Sequence, residues 1–426
     1  MTRLTDSKGR PRIVITGMGA VTPLGNTVAD SWESVLIGRS GIGPITKFDS
    51  EPFACRIAGE VRGFEAKDYM PFKEARRMSF ASQLAVAAFQ MAMDDSGLGE
   101  HVPNSERAGV VIGTGMGGFE KADENMLAFR RGGVNKVSPF AMTSSLANMP
   151  SHHVSVMAQT HGPITTVVSA CATGTQAVGE ASEMIRRGVA DIVITGGVEG
   201  LVHEGAMAGF SAMRALSTAY NDTPEKASRP FDKTRDGFLL SEGAGILIIE
   251  SLEHALNRGA HIYAEVLGHA SSSDAYHVAA QDPESAGAVR AMRWAVEDAG
   301  LKPHDVSYVN AHGTSTPMND ESETRAAKIL FGEEAYNIPM SSTKSMMGHA
   351  MGGSGAIEAI FCAKAIENQV LPPTWNYEVP DPVCDLDYVT EGPRETEVNV
   401  TLSNSFGLGG QNACLVLGKW IAEGYD

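Results

Sequence analysis

Four side chains in this sequence are of types that could do chemistry together: Cys171, His312, Lys344 and His349. In "TTVVSACATGTQAVGEASEMIRRG" the cysteine stands where an apolar strand ends and a helix begins. Ala177, Val178, Ala181, Met184 and Ile185 recur at helical spacing, and Arg187-Gly188 closes the run. A thiol at a helix N-terminus meets unpaired N–H groups that favour the thiolate, so a pKa below the usual ~8.5 is expected. Ser169, Ala170, Ala172 and Gly174 are small enough to let a substrate approach. Taken alone, Cys171 reads equally well as a small buried hydrophobe, the reading given to Cys362 and Cys414. The second half of the chain breaks the tie. "VNAHGTST" places His312 just past a strand end, and "STKSMMGHAMGGSGA" carries Lys344 and His349.

The elements that must position these residues repeat. A helical run at 81–98 followed by "AGVVIGTGMGG" is echoed by one at 285–301 followed by "VSYVNAHGTST". The stretches 164–188 and 338–369 each pass from a short strand through small residues into a helix. "RIVITGMGAVTPLG" and "IYAEVLGHASSSD" precede these units, and two further strand pairs follow them. Strands alternating with helices imply parallel βαβ units, and the same order twice implies two similar halves joined near 251–261. Loops in corresponding positions of the two halves can then converge on one cleft.

Composition limits the alternatives. The 426 residues are 43% hydrophobic, enough for a large core, and the net charge of −17 repels nucleic acid and anionic membrane. Five scattered cysteines without a C-x-x-C pair argue against a disulfide framework or zinc site and for a reducing, cytoplasmic compartment. The N-terminus lacks the apolar core of a signal peptide, and no run approaches the ~18 apolar residues of a membrane span. "GTGMGG" has the spacing of a dinucleotide turn, but no carboxylate follows at the offset that would hold a ribose, and "ITGMGAVTPLGN" has Thr22 and Pro23 where a third glycine belongs. Ser341 and Lys344 match S-x-x-K, yet no S-D-N or K-T-G accompanies them.

"SACATG", "NAHGTSTPMND", "STKSMMGHAMGGSGA" and "NSFGLGGQN", in this order, resemble the β-ketoacyl-[acyl carrier protein] synthases over nearly the whole chain. The resemblance is to the elongating Cys-His-His type and is nearest synthase II. Thiolases and chalcone synthases share the doubled fold with a different third residue. The resemblance implies an α/β, thiolase-like fold with two βαβ-rich halves, 1–255 carrying the cysteine and 256–426 the two histidines, in an α-β-α-β-α body. It implies decarboxylative Claisen condensation. Cys171 holds an acyl group, and His312 and His349 donate to the enolate formed as malonyl-[acyl carrier protein] loses CO2. The backbone N–H groups of Cys171 and Leu408 bind the tetrahedral oxyanion. Lys344 is a positioning residue paired with Glu358, Asp320 is structural, and Thr314 and Thr316 hold the pantetheine arm. Met116, Phe406 and Leu408 border the acyl pocket. No cofactor or metal is implied, since the acyl groups ride on the phosphopantetheine of acyl carrier protein. A homodimer is expected. A polyketide-type ketosynthase and a non-catalytic chain-length subunit share the pattern, though the latter typically lacks the cysteine.

One departure stands out: the family usually has phenylalanine where this chain has Leu408, so a gate over the acyl pocket is expected to be looser. An acidic enzyme meeting an acidic carrier needs a basic face. "FKEARRM" offers Lys73, Arg76 and Arg77 on one side of an expected helix, with Arg130, Arg131, Lys136 and Arg214 as additions.

Overall fold

Runs such as "GAGILIIES" and "QNACLVLG" are apolar at nearly every position, the pattern of strands buried on both faces. In the computed structural model, which describes residues 3–421, they lie inside a ten-stranded sheet. Residues 1–2 and 422–426, the outer ends of the two halves expected above, lie outside the described residues. The first five strands are β1 (Ile13–Val21), β2 (Ala108–Gly113), β3 (Ile164–Thr165), β4 (Ile192–Glu199) and β5 (Gly243–Ser251). The next five are β6 (Ala264–Ser273), β7 (Tyr308–Asn310), β8 (Met340–Ser341), β9 (Val400–Gly407) and β10 (Gln411–Gly418). Their spatial order is β8-β7-β9-β10-β6-β1-β5-β4-β2-β3, so each half has the same topology and the two meet where β1 pairs with β6.

Each half is mixed rather than parallel. β2 pairs in parallel with β3 and β4, as β7 does with β8 and β9, while β4–β5, β5–β1, β9–β10 and β10–β6 are antiparallel. The reason is local: Leu408-Gly409-Gly410 turns β9 back as a hairpin, with both glycines at positive φ, and the excursion 200–242 returns β5 against β4.

Six principal helices complete the layers: α1 (Phe80–Ser96), α2 (Phe119–Gly132), α3 (Thr173–Arg186), α4 (Ala286–Asp298), α5 (Pro317–Phe331) and α6 (Ser354–Asn368). Sequence alternation sorts the sheet's two faces. Ile246 and Ile248 of β5 join Leu84, Ala88 and Ala92 of α1, whereas Leu247 and Ile249 face Val178, Ala181 and Ile185 of α3. In the second half Val416 meets α4 and α5, and Leu415 and Leu417 turn to α3 and α6. The two sheet halves therefore enclose α3 and α6, with α1 on one outer side and α4 and α5 on the other.

The two central helices start close together because their first turns are small. A Cβ on Gly174 would sit 2.6 Å from the Ala356 nitrogen, and one on Gly355 would sit 2.1 Å from the Thr175 hydroxyl. That approach brings the segment before α3, which holds Cys171, against the segment before α6, which holds His349. No helix among the described residues is long and apolar enough to cross a membrane.

Candidate active site

Cys171 occupies a 3-10 turn, Ala170–Ala172, that leads directly into α3. Ser169 N–H donates to the Thr173 hydroxyl at 2.8 Å and closes the turn, while Ala170 is held at φ 51°, a region costly for a residue with a Cβ. The β9–β10 hairpin presses on this turn. A Cβ on Gly407 would lie 3.1 Å from the Cys171 nitrogen, so glycine there lets the following N–H, that of Leu408, reach the thiol.

His312 follows β7. Its backbone N–H and that of Gly313 each donate to the Glu323 carboxylate at 2.8 Å, which Asn404 also approaches, at 3.1 Å. His349 is fixed by its N–H to the Leu239 carbonyl at 2.8 Å, and its Nδ1 lies 3.0 Å from the Ser354 hydroxyl. The two imidazoles meet edge to face, centroids 5.2 Å apart, and both are 2% exposed. The ligand-forming atoms of Cys171, His312 and His349 all lie within 4.8 Å of one another. The chain thus brings together three of the four residues singled out from sequence, Cys171, His312 and His349, in the lining of a cavity of about 480 Å³.

The electrostatics correct one expectation. Burial pushes the Cys171 thiol up to about 11, against the pull of the Leu408 N–H, the Lys344 charge and the turn's own N–H, with Glu199 adding to the rise. The helix terminus is present but desolvation outweighs it, so the thiol is protonated at pH 7 in the resting site. Burial and then the Lys344 charge lower both imidazoles well below their usual value; His349 adds to the effect on His312. Each is neutral at pH 7 and offers one N–H and one lone pair.

Lys344 and Glu358 form a fully buried ion pair. Burial raises the Glu358 carboxyl to about 7 despite Lys344, and its Oε2 has no partner among the described residues. Asp320, also buried, accepts from Phe231 N–H at 2.8 Å and from Asn319 at 3.1 Å, and Arg235 lies at 3.6 Å. It braces the 228–235 segment against α5 and does not line the cavity. Thr314 and Thr316 do line it, their hydroxyls 3.0 Å apart, with Thr316 also capping α5. Phe406, buried, and Leu408, 38% exposed, line it as well.

Met116 does not. Glu199 accepts from the N–H groups of Gly115 and Met116 at 2.8 and 3.2 Å, and Met116, 46% exposed, is not among the residues that line this cavity. The same contacts account for the glycine-rich turn, because the N–H groups a phosphate would need are already given to a buried carboxylate. The basic residues Lys73, Arg76, Arg77, Arg130, Arg131, Lys136 and Arg214 are all exposed. The helix expected under the first three is a single turn, Phe72–Ala75, ended as Met78 and Ser79 turn inward before α1. The Arg77 guanidinium stacks over Phe140 at 4.6 Å, joining this turn to the segment that carries Lys136. Arg214 lines the cavity.

Sequence reasoning missed Glu199, Glu323, Ser354 and Met351. The two glutamates hold loops that carry the site, and only their burial in place, 0% exposed, reveals it. The Met351 sulfur lies 4.0 Å from that of Cys171.

The chain is similar to known proteins along most of its length. Residues 10–255 match the family described as "Beta-ketoacyl synthase, N-terminal domain" and residues 263–378 its C-terminal counterpart. The chain is 49% identical over 411 residues to "3-oxoacyl-[acyl-carrier-protein] synthase 2" of Synechocystis sp., covering 96% of this chain and 99% of that one. It is 47% identical, at the same coverage, to the synthase of the same name from Staphylococcus aureus. Among solved structures, a type II polyketide acyl-carrier protein in complex with its ketosynthase bound to the hexaketide matches with a TM-score of 0.90 at 33% identity, covering 96% of this chain and all of that one.

Proposed function

Since the chain belongs to the β-ketoacyl synthase family and performs the elongating condensation of fatty acid synthesis, we propose that Cys171 is its acyl-carrying nucleophile and that His312 and His349 stabilise the charge of decarboxylation. The observation that carries this reading is the convergence of one thiol and two neutral imidazoles within 4.8 Å at the base of the cavity.

In the first half-reaction the Cys171 sulfur attacks the acyl thioester. A neutral imidazole takes the thiol proton, which a resting pKa of about 11 otherwise retains, and returns it to the departing pantetheine sulfur. Both rings then carry a single N–H again. In the second, malonyl on its carrier loses CO2, and negative charge develops on the thioester oxygen within reach of the two imidazole N–H groups. The enolate carbon attacks the acyl carbonyl. The N–H groups of Cys171 and Leu408 receive the tetrahedral oxyanion, each donor being worth roughly 3 kcal/mol. Collapse expels the Cys171 thiolate, which takes up one proton. Burial and then the Lys344 charge keep the imidazoles neutral, and Lys344 is held by Glu358.

The substrates arrive on acyl carrier protein, with Thr314 and Thr316 hydrogen-bonding the pantetheine arm at the cavity wall and Lys73, Arg76, Arg77, Arg130, Arg131, Lys136 and Arg214 offering the basic face. The phosphopantetheine belongs to the carrier, so the enzyme needs no cofactor of its own. The halves divide near residue 255, which the repeated topology supports, and five free, buried cysteines fit a cytoplasmic enzyme. A second copy pairs along β3, an edge strand whose two residues are exposed, beside α2, which buries none of its own.

A condensation assay tests the assignment. With acyl- and malonyl-carrier protein, His312→Ala and His349→Ala are expected to keep acyl uptake on Cys171 and to lose CO2 release by about 10²-fold or more. Unchanged CO2 release in either variant contradicts the proposed role. In the same assay, reversing Lys73 and Arg77 to glutamate is expected to raise KM for carrier-bound substrate while a small thioester reacts as before. Equal losses on both substrates would remove the docking face.

A further inference from the structure

We infer that the cavity base is also a site for a soft monovalent metal ion, Cu(I), held by Cys171, His312, His349 and Met351, and that its occupation blocks the enzyme. The inference stands on ligand geometry and holds whether or not Cys171 is the acyl carrier. Three ligand atoms within 4.8 Å need a contraction of only about 1 Å to meet one ion at the ~2.0–2.3 Å bonds that imidazole and thiolate form. His349 is oriented for this. Its Nδ1 is engaged by Ser354, and its Nε2, on a ring 2% exposed, has no partner among the described residues. A Nδ1–H donated to the Ser354 hydroxyl leaves the lone pair on Nε2; in the tautomer used for catalysis Nε2 carries the proton, gained from solvent as Nδ1 gives its own up, and Nδ1 accepts from the rotated Ser354 hydroxyl.

The fourth donor decides the ion. The Met351 thioether lies 4.0 Å from the Cys171 sulfur, and Met351 is 6% exposed on a backbone held at φ 44°. Thiolate with thioether selects copper(I) over harder ions. Binding breaks the Cys171 S–H bond and forms S–Cu, releasing one proton to solvent. Copper stays in the +1 state and no electron moves.

The full chain, reduced and anaerobic, is titrated with Cu(I) buffered by a chromophoric chelator. The expected result is one equivalent bound, iodoacetamide excluded from Cys171, and condensation lost then restored by excess Cu(I) chelator. Cys171→Ser is expected to weaken Cu(I) binding by about 100-fold and Met351→Leu by about 10-fold, with Zn(II) binding changed far less by the latter. His349→Gln, which keeps a polar side chain of similar reach, gives a second loss independent of the cysteine. Uptake by Cys171→Ser equal to the wild type, or undiminished alkylation of Cys171 in the presence of Cu(I), overturns the site. A Met351→Leu variant that binds Cu(I) as tightly as the wild type does so too.

Discussion

At Cys171 two effects of opposite sign compete, and burial wins. The N–H groups of the turn and the Lys344 charge favour the thiolate, but the sulfur lies where neither compensates for lost water, and the pKa rises to about 11. The proposed nucleophile is therefore protonated at rest, and the proposed mechanism ionises it as a proton acceptor is aligned. Below its pKa the reactive fraction of a thiol rises tenfold per pH unit, so alkylation of Cys171 by iodoacetamide is expected to climb steadily from pH 7 to 10. Mass-detected alkylation that levels off near pH 8 would contradict this. The sequence made the type and place of Cys171, His312 and His349 legible, because each sits among small residues at a strand end. It could not disclose the sign of the pKa shift, which is set by how completely the fold buries the thiol against the opposing pull of the Leu408 N–H and the Lys344 charge from the other half of the chain.

At the scale of elements, the site exists because α3 and α6 start in contact, and Gly174 and Gly355 permit that contact. The repeated strand-to-helix pattern was readable in sequence, since apolar spacing reports which residues share a face. The antiparallel return of β5 and β10 was not: strand direction is set by the excursion 200–242 and by the Leu408-Gly409-Gly410 hairpin rather than by the strands themselves. The docking helix was overestimated for a similar reason, because charge spacing in "FKEARRM" continues past the point where Met78 and Ser79 turn inward. The edge strand β3 carries a prediction at this scale. Ile164 is 51% exposed at a sheet edge that a second copy can cover. Wild type is expected to sediment as a dimer of 45.1 kDa chains, and Ile164→Lys to shift it toward monomer. A wild-type monomer, or an Ile164→Lys variant that stays fully dimeric, would contradict pairing along β3.

For the whole molecule, the doubled topology explains why one site draws on both halves. β1 and β6 meet at the centre of the sheet, and corresponding loops, one after β3 and one after β8, supply the thiol and the second imidazole. A net charge of −17 sets the overall field against an acidic partner, so the proposed recognition of the carrier calls for a local basic face. Covalent capture of the acyl group on Cys171 is the claim on which the rest depends, and intact-protein mass after incubation with acyl-carrier protein tests it most directly. The account predicts an acyl increment on the wild type and none on Cys171→Ala. An increment that survives in Cys171→Ala, or none on the wild type at any acyl length, would contradict it.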